Sequence, residues 1–190
     1  MRGRKIAYDP REGTRPMKHR VRQATFDLVG PAVLHRHAID LFAGSGALGL
    51  EAISRGAVFA TLVEQHVPTA QLIRKNIATL GLQDRTEVIT HSAFIWVQRG
   101  DRLPVTSLPD TSSVIFCCPP YDFYVERTDE MLELIQRLMD RAPDGSILVV
   151  EADQRFEFRQ LPDAERWDVR CYPPAVLGIY ELKTESGVRV

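Results

Sequence analysis

Apolar positions along the chain switch between helical and strand spacing. Met17, Val21, Ala24 and Leu28 recur at i, i+4, i+7 and i+11, which predicts a helix that buries one stripe. Thr14-Arg15-Pro16 starts it with a capping hydroxyl and a proline tolerated in the first turn, and Gly30-Pro31 stops it. Arg15, His19 and Arg22 share another, basic face. A short apolar run (Ile39, Leu41, Phe42) then meets Gly44-Ser45-Gly46, after which Ala47, Leu48, Leu50, Ala52 and Ile53 resume helical spacing. The same reading gives a helix over 46–55, a strand over 58–64, a helix over 67–80 closed by Gly81, and a strand over 86–90. His91-Ser92-Ala93 opens a short helix, and 100–111, with Pro104 and Pro109, is a linker. A buried strand over 113–118 runs into Pro119-Pro120-Tyr121, followed by a helix over 125–141 and a strand over 147–151. Two β-like runs around Pro173-Pro174, near 167–172 and 176–182, read as a closing antiparallel hairpin. Strands and helices that alternate five times predict a parallel sheet covered on both faces, with ligands at the carboxyl ends of the strands.

At 190 residues and 44% hydrophobic content the chain suits one domain with a sizeable core. Its three cysteines are an odd count and Cys117-Cys118 are adjacent, so neither a disulfide framework nor a zinc spacing is present. No apolar run approaches the ~20 residues of a membrane span, and none follows the Met-Arg-Gly-Arg-Lys start. The expectation is a soluble protein of a reducing cytoplasm. The net charge of −1 hides an asymmetry: residues 1–22 hold eight Lys/Arg against two acids, leaving 16 basic and 23 acidic residues beyond, so +6 is followed by −7. That division reads equally as a solvated tail or as an arm for a polyanion. We place the arm at 1–14 and the domain at 15–190.

The glycine turn carries the first chemistry. Gly44 and Gly46 can take positive φ and bare their N–H groups, with a helix N-terminus behind them, so a small molecule can lie against the main chain. Glu64, 20 positions beyond Gly44, falls at the end of the neighbouring strand, where a carboxylate can accept both hydroxyls of a ribose. Alone, each feature is as well explained by a ligand-free turn or a surface acid. Together they favour a nucleoside.

The order Asp40-Leu-Phe-Ala-Gly44-Ser-Gly46-Ala-Leu-Gly49, Glu64 at the next strand end and Pro119-Pro120-Tyr121 after the fourth strand resembles the S-adenosylmethionine-dependent methyltransferases of the Rossmann-like class. Their sheet is seven-stranded, mostly parallel and closed by an antiparallel hairpin. Upstream, Arg2-Gly-Arg-Lys5, Gly13-Thr-Arg-Pro16, Arg20-Val-Arg22 with Phe26, and residues 48–57 resemble the bacterial small-subunit (16S) rRNA guanine-N2 methyltransferase family. The resemblance spans Arg2 to about Leu182. It implies methyl transfer from S-adenosylmethionine to the exocyclic amine of a guanine in rRNA, in the cytoplasm, without a metal, by a monomer acting on a ribosomal particle or its precursor. It further implies that Asp40, Phe42, Gly44, Ser45, Gly46, Glu64 and Ser92 serve the cofactor. Cys118, Pro119, Pro120 and Tyr121 would form the catalytic turn, with Tyr121 stacked on a flipped base, and Arg2, Arg4, Lys5, Arg15, Arg20 and Arg22 would meet RNA.

Two positions depart from the family pattern. Cys118 stands where the family has an Asp, and a thiol near its usual pKa of ~8.5 is a neutral, weak acceptor. Ser92 stands where an Asp or Asn often contacts the adenine amine. Three readings of Cys118 follow: it acts as a perturbed thiolate, Asp122 or backbone carbonyls replace the acceptor, or the site turns over poorly. Cys117 reads as core filling. The alternatives in function are a methyltransferase on another nucleic acid or a free base, and a catalytically weakened RNA-binding factor. A dehydrogenase is disfavoured, since Pro-Pro-Tyr has no part in hydride transfer.

Overall fold

The computed structural model describes residues 6–7, 19–98 and 112–182. In chain order the elements are α1 (His19–Val29), β1 (His37–Asp40), α2 (Ala47–Ser54), β2 (Phe59–Val63), α3 (Val67–Leu80), β3 (Thr86–Ile89), α4 (Ala93–Gln98), β4 (Ser113–Cys117), α5 (Phe123–Glu126), α6 (Thr128–Arg141), β5 (Ile147–Asp153), β6 (Asp168–Tyr172) and β7 (Ala175–Glu181). They form one seven-stranded sheet in the order β3-β2-β1-β4-β5-β7-β6. The first five strands are parallel, and β7 and β6 run antiparallel to their neighbours. The strand order reverses between β1 and β4, which opens a crevice beyond their carboxyl ends.

The strand period of two divides the core into two layers. Ile39, Ile115, Cys117, Leu148 and Val150 pack with Trp96 and Val97 of α4 and Met131, Ile135 and Leu138 of α6. Their neighbours Ala38, Val114, Phe116, Ile147 and Val149 pack with Phe26 of α1, Leu48 and Ile53 of α2 and Ile73 and Ile77 of α3. Burial of both faces explains why the strands read as nearly continuous apolar runs.

Most expected elements are present within a residue or two, and α3 has the expected bounds. Gly81 ends it at φ 68, in the left-handed conformation that glycine permits. The expected helix over 125–141 is two helices, broken at Arg127 (φ −134, ψ 38). Thr128 Oγ1 donates to the Tyr124 carbonyl at 2.9 Å, occupying the acceptor that an unbroken helix would offer the Thr128 N–H. The Arg127 guanidinium instead lies 4.1 Å from the Phe94 ring centroid and 4.9 Å from that of Phe123. The strand ending at Cys118 stops one residue earlier, so Cys118 belongs to the turn. The helix start at Thr14-Arg15-Pro16, Met17 and the 100–111 linker lie outside the described residues. Of the remaining helical stripe, Val21 and Ala24 are buried and Leu28 is half-buried.

Candidate active site

The glycine turn has the backbone that its sequence requires. Gly44 and Gly46 have φ of 51 and 78, and Gly46 caps α2. A Cβ on Gly46 would stand 3.2 Å from Ile73 Cγ2 and Leu62 Cδ2, and one on Gly49 would stand 3.0 Å from the Leu62 side chain. Helix α2 therefore sits as close to β2 as the absence of side chains allows.

Two acids brace this turn. Glu64, 8% exposed, accepts from the Gly44 N–H through Oε2 at 2.8 Å and from the His66 N–H through Oε1 at 2.8 Å. A carboxylate has about four acceptor positions, so two backbone donors fix Glu64 and leave capacity for hydroxyls. Asp40, 1% exposed, accepts from the Gly49 N–H at 3.1 Å through Oδ2, while Oδ1 has no hydrogen-bond partner among the described residues. Burial above all, with the Glu64 charge adding, pushes its pKa up to about 7, against the pull of the Gly49 and Phe42 N–H groups. The Gly44 and Gly46 N–H groups expected to be bare are engaged within the fold, Gly44 with Glu64 and Gly46 with the Ala43 carbonyl, as is Gly49 with Asp40, so the acceptor that this turn leaves without a partner among the described residues is Asp40 Oδ1. Ser45 and Ser92 are half-buried at the ends of β1 and β3. Phe42 forms an edge-on cluster with Phe94 (5.9 Å) and Phe123 (6.1 Å), tying the glycine turn to α4 and to the segment after Pro-Pro-Tyr.

Across the crevice, Pro119 is buried, Pro120 exposed, and Cys118 and Tyr121 half-buried. Burial first, then the charges of Glu151, Cys117 and Asp40, pushes the Cys118 thiol well above its ordinary value. The thiol is protonated at neutral pH, which opposes the thiolate reading. Asp122 is exposed and its Oδ1 takes a 2.8 Å ion pair from Arg155. Cys117 is fully buried and its thiol is pushed up to about 12 by burial, in keeping with core filling. The Tyr121 hydroxyl donates to Glu151 Oε1 at 2.6 Å, and its side chain packs against the cluster of Val21 and Ala24 of α1 with Ala175 and Leu177 of β7. Glu151 is missing from the sequence-derived site. The signal was there, because an acid closing four apolar strand residues at 147–150 repeats the pattern that singled out Glu64.

Of the expected RNA contacts, Arg20 is exposed, whereas Arg22 Nε lies 3.8 Å from Glu51 Oε2. Arg2, Arg4, Lys5 and Arg15 lie outside the described residues. Ala7 is pinned to α3: its N–H donates to Asn76 Oδ1 at 2.9 Å and its carbonyl accepts from Asn76 Nδ2 at 2.8 Å. Among the described residues no three His, Cys, Asp or Glu side chains are grouped to hold a metal ion, and no helix is long and apolar enough to cross a membrane.

This sheet order, with a glycine turn after the first strand and acids at the strand ends, is a Rossmann-like arrangement, and the proteins that the chain resembles in sequence are methyltransferases. The chain belongs to the family of conserved hypothetical protein 95, whose model matches residues 1–180, and of the ribosomal RNA small subunit methyltransferase D proteins. The Escherichia coli (strain K12) ribosomal RNA small subunit methyltransferase D is 33% identical over 154 residues, 80% of this chain and 71% of that protein. The solved structure of Escherichia coli yhhF superimposes with a TM-score of 0.76 at 28% identity, covering 96% of this chain and 93% of that one. An RNA methyltransferase from Salinibacter ruber, solved with S-adenosyl-L-homocysteine, shares the fold at a TM-score of 0.65 and 17% identity, over 90% of this chain and 95% of its own.

Proposed function

We propose that this protein transfers a methyl group from S-adenosylmethionine to the exocyclic N2 amine of a guanine in small-subunit rRNA, as free RNA or in the assembled particle, in the cytoplasm and as a monomer. The observation that carries the reading is the pairing of Glu64 with the Gly44 N–H across one crevice from the Pro-Pro-Tyr turn. Family membership supports the substrate class.

Gly44, Ser45 and Gly46 would lie beneath the amino-acid part of the cofactor, Asp40 toward its positive charge, and Glu64 on the ribose hydroxyls, with Phe42 and Ser92 near the adenine. The cofactor supplies an electrophilic methyl group on a sulfonium. The amine's lone pair is delocalised into the guanine ring, so acceptors must hold its N–H groups while the nitrogen pyramidalises. Tyr121 stacks on the flipped base, an interaction worth about 1–3 kcal/mol. Pro119 and Pro120 stiffen the turn that presents it, and positioning carries most of the rate. Arg20 and the arm residues Arg2, Arg4, Lys5 and Arg15 meet phosphates, while Arg22 shares its charge with Glu51.

Cys118 in place of an acid favours a second reading, an RNA-binding factor that keeps the fold and transfers poorly. Labelled-methyl transfer to free small-subunit rRNA and to assembled subunits, beside calorimetry of cofactor binding, separates the two. Transfer to either RNA form is the expected result. Cofactor binding without transfer would select the second reading, and absence of cofactor binding would reject the methyltransferase reading.

A further inference from the structure

The acceptor side of the crevice lacks an acid at position 118 but holds one beside it. Register pairing of Cys117 with Val150 makes Cys118 and Glu151 the next neighbours at adjacent strand ends. Residues at one level of a parallel sheet face the same way, and Cys118 packs in the layer of α1, α2 and α3. Glu151 is 5% exposed. Its carboxylate accepts from the Tyr121 hydroxyl at 2.6 Å, and among the described residues no cation pairs with it.

A buried, unpaired carboxylate is costly. If its whole task were to fix the Tyr121 ring, a neutral amide would do it without that cost. What a carboxylate adds is spare acceptor capacity: Tyr121 uses one of about four positions. Burial also raises its proton affinity above that of an exposed glutamate, with the Tyr121 bond pulling the other way.

We propose that Glu151 is the acceptor for the target amine that position 118 lacks, a carboxylate moved one strand across and aimed by the Tyr121 hydroxyl. This rests on the reading of the protein as a methyltransferase acting on a nucleobase amine. One N–H of the amine is held by Glu151 as nitrogen approaches the methyl carbon. The N–C bond forms, the C–S bond breaks with its electron pair going to sulfur, and the proton leaves nitrogen for the Glu151 carboxylate and then water. Cys118 is a neutral filler between Glu151 and β1.

The test compares wild type with Glu151→Gln, Tyr121→Phe, Cys118→Asp and the double variant Cys118→Asp/Glu151→Gln, on whichever RNA the wild type methylates. The readouts are kcat, KM for RNA, cofactor Kd and Tm. Glu151→Gln is expected to lower kcat about 100-fold, with cofactor Kd and RNA KM held within about twofold. Tyr121→Phe, which keeps the ring, should lower kcat by roughly 3–10-fold, the scale of one neutral hydrogen bond. The double variant, with the carboxylate restored one strand away, should regain roughly tenfold or more over Glu151→Gln. Undiminished kcat in Glu151→Gln, a loss confined to RNA KM, or a double variant no better than Glu151→Gln would overturn the proposal. If Tm and cofactor binding show that Glu151→Gln does not fold, Tyr121→Phe decides: wild-type kcat in that variant overturns it. A wild type that binds cofactor and methylates no RNA overturns the methyl-transfer reading and this proposal together, whereas wild-type transfer that survives in Glu151→Gln overturns this proposal alone.

Discussion

The two walls of the strand-end crevice are held by different means. On the β1–β2 wall, main-chain N–H groups do the holding: Gly44 and His66 clamp Glu64, and Gly49 clamps Asp40. Every part lies between residues 40 and 66. On the β4–β5 wall, side chains hold side chains across long separations: Tyr121 to Glu151 over 30 residues, and Asp122 to Arg155 over 33. A wall made of backbone tolerates few changes of residue because its geometry is the function. A wall made of side chains can pass a task between neighbouring strand ends, which is the opening that a cysteine at 118 exploits.

The strongest way to break the contrast is to add a side chain to the backbone wall. Gly46→Val places a branched residue at φ 78, against Ile73 and Leu62. Strain and displaced neighbours should cost about 2–5 kcal/mol, visible as a lower denaturation midpoint, with no measurable cofactor binding. Wild-type stability there would mean that the turn is not built on close approach.

A matched pair sharpens it. Glu64→Ala should weaken cofactor affinity by ~1.5–3 kcal/mol in calorimetry while RNA affinity stays unchanged. Tyr121→Ala should leave cofactor affinity intact and reduce single-turnover transfer by the equivalent of ~1–3 kcal/mol. If either variant damages both properties alike in a folded protein, the walls are not separable.

The pH dependence of stability is smaller because two groups on β1 oppose each other. Asp40, with its pKa raised to about 7, stays protonated in the fold while the unfolded chain ionises, so its contribution falls as pH rises from about 4 to 7. His37, with its pKa lowered to about 4 by burial, binds its proton more readily unfolded, so its contribution rises from about pH 4 to 6.5. Asp40→Asn should leave stability rising with pH over that window, and His37→Gln should leave it falling, in urea titrations at stepped pH. Identical slopes in the two variants would contradict the burial of these groups.

The smallest effect concerns the arm. Replacing Arg2, Arg4 and Lys5 with Gln should flatten the dependence of log K for RNA on log salt by about 0.7–0.9 per lost phosphate contact, without altering cofactor affinity. An unchanged slope would return the arm to the role of a solvated tail.

The same contrast governs what the sequence disclosed. Gly44, Gly46 and Glu64 follow from local spacing, since one βαβ unit fixes their relation, and the structure brings Gly44 and Glu64 into contact. The Glu64 carboxylate is clamped by two backbone N–H groups, a detail that spacing cannot supply. Glu151 was visible as a strand-ending acid, but its partnership with Tyr121 depends on the pairing of β4 with β5, which no local pattern encodes. The break at Arg127 left a trace in Asp129 and Glu130, acids in the first turn of α6. The continuous apolar stripe of Met131, Ile135 and Leu138 outweighed it.

The most direct test of the account is the identity of the product. Small-subunit rRNA, free and assembled, is incubated with the protein and S-adenosylmethionine carrying a deuterated methyl group, digested to nucleosides and analysed by mass spectrometry. Transfer to the guanine N2 amine places the label in N2-methylguanosine. Label in another nucleoside, or in none while calorimetry shows the cofactor bound, would contradict it.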